Sequence, residues 1–234
     1  MKSKARWILG LGVVAIVLIV GGPWVYINVL RNDAPERLEL TSTTVDATGS
    51  SPTSSPSGTV DDVSGEWVVS SESVVGYRVK EILFGQSTEG VGRTSSVTGK
   101  LAIDGATLTA AEFTVDMTSL KSDDGRRDGQ FRGRIMDTAT YPSATFTMTD
   151  VINIPASALT GSAFATTARG NLTLRGQTKV VEVPIEARLS GSSIEVVGLI
   201  NIVFEEWSIP NPSRPGISTE DNGDLEFQLV FTQS

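Results

Sequence analysis

From residue 66 onward, apolar and polar residues alternate with a period of two, the spacing of strands that bury one face and wet the other. In VVGYRVKEIL, Val75, Tyr77, Val79 and Leu83 share a face opposite Arg78 and Lys80, and Glu81 breaks the rule by falling on the apolar side. VTGKLAID sets Val97, Leu101 and Ile103 against Thr98, Lys100 and Asp104. EFTVDM sets Phe113, Val115 and Met117 against Glu112, Thr114 and Asp116. VVEVPIEARL and LEFQLVF repeat the pattern through Leu189 and Phe231, and segments around 144–154, 165–174 and 193–204 complete about eight strands. Asp104-Gly105, Ser190-Gly191 and Asn222-Gly223 are hairpin signals, so neighbouring strands should run antiparallel. Strands apolar on one face must close on themselves or pack face to face, which predicts an all-β barrel or sandwich. Pro184, outward in its strand, marks an edge or a bulge.

The first 65 residues follow other rules. Trp7 to Leu30 carries no charge and as a helix would be about 36 Å long, enough to cross a bilayer. Lys2, Lys4 and Arg6 precede it, so residues 1–6 are expected in the cytoplasm and the rest of the chain outside, in a single-pass protein of the cell membrane. The run is too long for a signal peptide and lacks a small-residue cleavage site. Residues 31–65 read as a disordered linker: Ser or Thr fills twelve of the nineteen positions from Thr41 to Thr59. A flexible chain of that length spans roughly 30 Å. The folded domain is then 66–234.

Composition narrows the chemistry. The chain has no cysteine and no histidine, which excludes thiol nucleophiles, His or Cys zinc sites and Ser-His-Asp triads. Its net charge is -8, and because residues 1–31 hold four basic residues and no acids, the remainder carries fifteen positive and twenty-seven negative charges, or -12. So acidic a body is a poor partner for nucleic acid. The acid pairs Glu205-Glu206 and Glu220-Asp221 read as solvated loop charges rather than a glycosidase pair. No catalytic residues, metal ligands or cofactor are expected.

One stretch after the linker lacks strand alternation, LKSDDGRRDGQFRGRIM from Leu120 to Met136. Arg127, Phe131 and Ile135 recur every four residues, which is one helical face. Gly125, Gly129 and Gly133 also recur every four, and each costs about 1 kcal/mol in a helix interior. One or two short helical turns across the barrel end are predicted, the glycines being accommodated either by close packing of their face or by a partly irregular segment. The arginines could meet a phosphate or quinone-like head group; more simply, Arg126, Arg127, Arg132 and Arg134 pair with Asp123, Asp124, Asp128 and Asp137.

Four stretches together resemble the YceI family of lipid- or polyisoprenoid-binding proteins: EWVVSSESVVGYRVKE, the Arg127-Asp128 pair running on through Tyr141-Pro142 to Phe146, GNLTLRGQTK, and NIVFEEWSIPNPSRPG. The resemblance covers nearly all of residues 65–234. It implies an extended eight-stranded antiparallel lipocalin-like β-barrel with a short helical segment at its mouth and an apolar interior holding a long isoprenoid chain. This chain departs from the pattern where the family often has histidine, at Glu72, Glu81 and Gln130.

The function expected is that of a membrane-anchored, extracytoplasmic, non-catalytic protein that sequesters or transfers a long isoprenoid lipid or quinone-like ligand. Val75, Tyr77, Val79, Phe113, Val115, Met117, Phe146, Met148, Phe227 and Leu229 are the candidate tunnel lining, and Glu81, Arg127 and Arg132 the candidate head-group contacts. Alternation is equally compatible with a filled core. The alternative is then an interaction module that binds a protein or envelope polymer on its surface. Glycines in or beside strands, among them Gly92 and Gly198, either leave room for a ligand or ease barrel curvature.

Overall fold

The computed structural model describes residues 34–41 and 63–234. The expected membrane helix and most of the linker lie outside the described residues, and no helix among the described residues is long and apolar enough to cross a membrane.

Thirteen strands form one antiparallel sheet: β1 Gly65–Val69, β2 Val74–Leu83, β3 Gln86–Thr94, β4 Val97–Asp104, β5 Thr107–Asp116, β6 Lys121–Ser122, β7 Ser143–Met148, β8 Ile152–Asn153, β9 Phe164–Leu174, β10 Gln177–Ser190, β11 Ser193–Val203, β12 Ile217–Thr219 and β13 Asn222–Gln233. Eight of them close a ring in the order β1, β4, β5, β7, β9, β10, β11, β13 and back to β1. β13 is the joint of the barrel. Its Asp224–Gln228 half pairs with β2, while Phe231–Gln233 pairs with β1. At the β2 end β3, β6 and β12 extend the wall beyond the ring, and we call this end the mouth. The other end, at the β4–β5 and β10–β11 hairpins, is the base.

Those two hairpins fall on the Asp104-Gly105 and Ser190-Gly191 signals, with Gly105 and Gly191 at φ 56° and 60°. Asn222-Gly223 is not a turn. Asn222 opens β13 and pairs with Val203, and β12 and β13 run the same way along β2, so the reversal after β11 falls earlier, between Phe204 and Gly216. Pro184 sits where a missing N–H costs least: β10 is paired with β9 there, but its pairing with β11 begins only at Ile185.

The segment between β6 and β7 forms helix α1, Gly125–Gln130, continued by a π-helical turn, Phe131–Ile135. Asp124 caps α1 by accepting from the Arg126 amide at 2.7 Å, and Asp128 ties it to β6 by accepting from the Ser122 amide and hydroxyl at 2.8 and 2.7 Å. Arg127, Phe131 and Ile135 do turn together toward the interior. Of the two ways expected to accommodate the glycines, the irregular one is realised: a Cβ at Gly125, Gly129 or Gly133 would meet nothing within 4 Å, and the segment's second half is a π-helical turn. That face is open to solvent, so the segment is held by its caps and by buried Phe131 and Met136.

Eight residues assigned to the linker are placed on the barrel. Ala34–Thr41 runs down the outside of β2, β13 and β11 as a strap. Arg78 donates to the carbonyls of Pro35 (2.7 Å) and Glu36 (3.2 Å), Arg93 also donates to the Glu36 carbonyl, and Arg37 pairs with Asp224 at 3.2 Å. Further down, the Thr41 amide and hydroxyl donate to Glu195 at 2.8 and 2.7 Å, and Arg188 donates to the Thr41 carbonyl. Beneath the strap the outward charges of the strands are buried: Arg78, Glu195 and Glu226 are 3%, 4% and 2% exposed. They survive burial because they are paired, Arg78 with Glu226 (3.2 Å) and Glu89, Arg93 with Glu226 (2.8 Å), Arg188 with Glu195 (2.9 Å).

Candidate functional site

The barrel is hollow. Three adjoining chambers fill its length, the first two sharing Val75, Val115, Ala144 and Leu225 as walls, the second and third sharing Leu101, Leu108, Ile152, Ile185 and Val196. The centre of a water-sized sphere has about 120 Å³ to move in within each of the first two and about 70 Å³ in the third. One water needs roughly 10–15 Å³. The filled interior assumed in the alternative is therefore absent.

Close approach of rings to the wall keeps the lumen open. Tyr77 and Gly92 are cross-strand partners on β2 and β3, and Gly198 and Phe227 are partners on β11 and β13. A Cβ at Gly92 would lie 2.4 Å from Tyr77 Cε1, and one at Gly198 2.4 Å from Phe227 Cζ. Each glycine thus provides the space in which the neighbouring ring lies flat against the wall rather than across the lumen. Of the sequence's two readings of these glycines, this is the one that leaves room.

All ten candidate lining residues face these chambers. Val75, Tyr77, Val79, Val115 and Met117 border the first; Phe113, Phe146, Met148, Phe227 and Leu229 border the second, together with Val75 and Val115. Ile202 and Phe204 also border the first chamber, continuing the alternation of β11 through Val196 and Ile200, whereas Phe131, Met136 and Ile209 border it with no period-two signal, since they lie in and just after α1's extension and in the segment after β11. Phe131 stacks on Tyr77 with ring centroids 4.9 Å apart and planes 9° from parallel, closing the mouth side of the chamber. Burial pushes the Tyr77 hydroxyl well above its ordinary pKa, with Arg127 working against that and the acids around it adding to it, so it stays protonated.

Polar side chains reach this interior mainly at the mouth. Glu81 lies within β2, 8% exposed, rather than at a strand end in water, and its Oε2 accepts from Arg127 Nη2 at 3.3 Å. Arg127 also pairs with Asp123. Burial alone would lower the Arg127 pKa, but Glu81 and Asp123 outweigh it and raise it further. Arg127 thus stands between two carboxylates, with its charge already satisfied. The Glu81–Arg127 pair borders both the first chamber and an outer vestibule, about 830 Å³ by the same measure, shared with Leu83, Phe84, Asp123, Asp124, Arg126 and Arg214.

The remaining arginines depart from the expected pairing. Arg132 borders none of these cavities, Arg134 donates to the carbonyls of Asn211 and Pro212 at 3.0 and 3.2 Å, and Arg126 and Arg132 make no ion pair among the described residues. Asp124 and Asp128 serve as caps instead. The acid pairs are solvated: Glu205, Glu206, Glu220 and Asp221 are exposed, and Glu206 pairs with Lys179 at 3.4 Å.

The chain matches the family model described as the YceI-like domain over residues 41–231. No curated protein matches it. Among solved structures it is similar to a polyisoprenoid-binding domain from Saccharophagus degradans implicated in plant cell wall breakdown, at 18% identity and a TM-score of 0.57, covering 72% of this chain and 98% of that one. It is also similar to BcnA of Burkholderia cenocepacia, at 23% identity and a TM-score of 0.54, covering 69% of this chain and 98% of that one.

Proposed function

The chain belongs to the family of YceI-like domains, and from that premise we propose that it is a non-catalytic lipid carrier whose barrel sequesters or transfers one long isoprenoid chain. The observation that carries this reading is the row of apolar chambers along the barrel, polar chiefly at its mouth. β10 is fourteen residues long, which at about 3.3 Å per residue and a barrel tilt near 40° gives roughly 35 Å along the axis. A long, slender, apolar chain matches such a space. Each Å² of it removed from water contributes about 25 cal/mol. The solved relative from Saccharophagus degradans, a polyisoprenoid-binding domain of the same fold, supports the ligand class.

The mouth argues for an uncharged polar end. A lipid phosphate that passed the vestibule to the first chamber would meet there an Arg127 already paired with Glu81 and Asp123. A hydroxyl or a quinone-like carbonyl needs no unpaired charge there and can accept from the guanidinium. The uncharged run Trp7–Leu30 with Lys2, Lys4 and Arg6 before it supports anchoring in the cell membrane with the barrel on the extracytoplasmic side.

Native mass spectrometry of the full chain in detergent, incubated with a polyisoprenol, its monophosphate, and a straight-chain alcohol of equal carbon number, tests this reading. One polyisoprenol per barrel, bound in preference to the other two, is expected. A barrel that takes up none of the three would end the proposal, and a preference for the monophosphate would end the part that concerns the head group.

A further inference from the structure

The strap changes what the linker can do. If residues 31–65 were one free tether, the barrel would hang from Val63, which borders the base chamber, with its mouth pointing away from whatever holds the N-terminus. The strap reverses that attachment. Among the described residues, the first contacts after the uncharged run are those of Pro35 and Glu36 with Arg78, in the mouth half of β2. Only four residues lie between Leu30 and Pro35, five steps of backbone or at most about 17 Å of chain. From Arg78 to Ile82 at the rim is four residues of strand, about 13 Å. The chain between bilayer and barrel is thus about long enough to reach the rim, and the Ser/Thr-rich stretch 42–62 lies in sequence between the strap and β1.

The rim itself is built unusually for a surface in water. Phe84 occupies the first central position of the two-residue β2–β3 turn, at φ 50°, followed by Gly85 at φ 86°. Such a turn favours asparagine or glycine there, and a bulky residue at positive φ is strained. Yet Phe84 is 61% exposed, and beside it Ile82 is 50% exposed. Val203, 40% exposed, ends β11 at this same end of the barrel. The vestibule behind the rim sets Arg126, Arg127 and Arg214 against Glu81, Asp123 and Asp124, a local balance in a body of net charge -12.

We propose that Ala34–Thr41 is a latch that holds the tunnel mouth, with Phe84 and Ile82 on its rim, against the bilayer carrying residues 7–30. The inference rests on the anchoring proposed above. It gives the lipid a path from the membrane into the first chamber that never crosses bulk water. Strained and exposed, Phe84 is explained as a residue whose contact is lipid.

The chain has no cysteine, so single labels can be placed without background. Ser87→Cys puts a fluorophore beside the rim, and Ser192→Cys puts one in the β10–β11 hairpin at the base. The full chain is reconstituted into vesicles of phosphatidylethanolamine and phosphatidylglycerol that contain brominated lipid as quencher. A second variant of each carries a Gly/Ser insertion of about twenty residues after Arg31, which lengthens the leash and leaves the strap and the barrel untouched. The latch requires several-fold stronger quenching at the rim than at the base, and loss of that difference on insertion. Protein that resists carbonate extraction but shows no rim quenching overturns the latch and leaves anchoring intact. Rim quenching that survives the insertion also overturns it, since the strap would then be unnecessary. Protein released by carbonate defeats the anchoring reading itself, and the latch with it.

Discussion

Tyr77 and Arg78 are consecutive residues of β2, yet the inward aromatic is the more exposed of the two and the outward arginine is all but sealed. Phe227 and Glu226 repeat the inversion on β13. The inner wall of the barrel is apolar and incompletely covered because the lumen is open and because rings such as Phe227 lie against it over glycine. The outer wall under the strap is charged, and its Arg78, Glu195 and Glu226 are buried because Ala34–Thr41 lies on it and supplies carbonyls and a hydroxyl to the ions below. An apolar surface left open invites a ligand, whereas an ionic surface closed by its own chain fixes a position. The first is suited to carrying a lipid, the second to setting how the carrier is held.

The largest test of that contrast is Glu226→Ala. It leaves Arg78 and Arg93 without their shared buried partner, and loss of one member of a buried ion pair costs about 3 kcal/mol. Urea unfolding should show a midpoint lowered accordingly, and a change no greater than that of a surface substitution would mean that the strapped wall is not sealed. Next comes Gly198→Ala. The added methyl forces the Phe227 ring off the wall into the second chamber, at a cost of about 1–2 kcal/mol, and prenyl-lipid stoichiometry should fall with the thermal midpoint. Unchanged lipid uptake would show that the second chamber is not where the chain lies.

Thr41→Val should cost about 1 kcal/mol by removing one hydrogen bond to Glu195 while keeping the amide bond. Its reporter is hydrogen exchange or proteolysis within 34–41, which should quicken while the β-barrel amides remain unchanged. The smallest effect is that of pH. Burial disfavours the Glu195 carboxylate, but hydrogen bonds from Thr41, Gln228 and Arg188 overcome this and hold its pKa below the usual glutamate value. A group with a lowered folded pKa contributes stability above its unfolded value, about 4.3, and that contribution is lost as pH falls through the folded value. Strap protection should therefore be constant from neutral pH down to about 5 and decline below it. Thr41→Val should flatten that dependence.

The alternation of Val75, Tyr77 and Val79 or of Phe113, Val115 and Met117 made the lining legible, because a period of two assigns a side to every residue of a strand whatever it later packs against. The four-residue spacing of Arg127, Phe131 and Ile135 likewise revealed which face of α1 turns inward. Glu81 was legible only as an exception, since its partner Arg127 lies 46 residues away and no local rule joins them. The strap was not legible at all. Half of its eight residues are polar, with no run long enough to show a period, and the charges that receive it occupy positions that alternation assigns to solvent.

By itself, then, the sequence determined the local side of each strand residue, the two hairpins at the base, the place of the helix and the apolar character of the interior, all set by neighbours a few residues apart. Only the tertiary structure decided that the interior is hollow, that Glu81 and Arg127 meet at the mouth, and that Thr41 bonds to Glu195 across 154 residues. Openness depends on which ring faces which glycine across strands, and latching on charges that chain folding alone brings together. Neither is a property of any short stretch of chain.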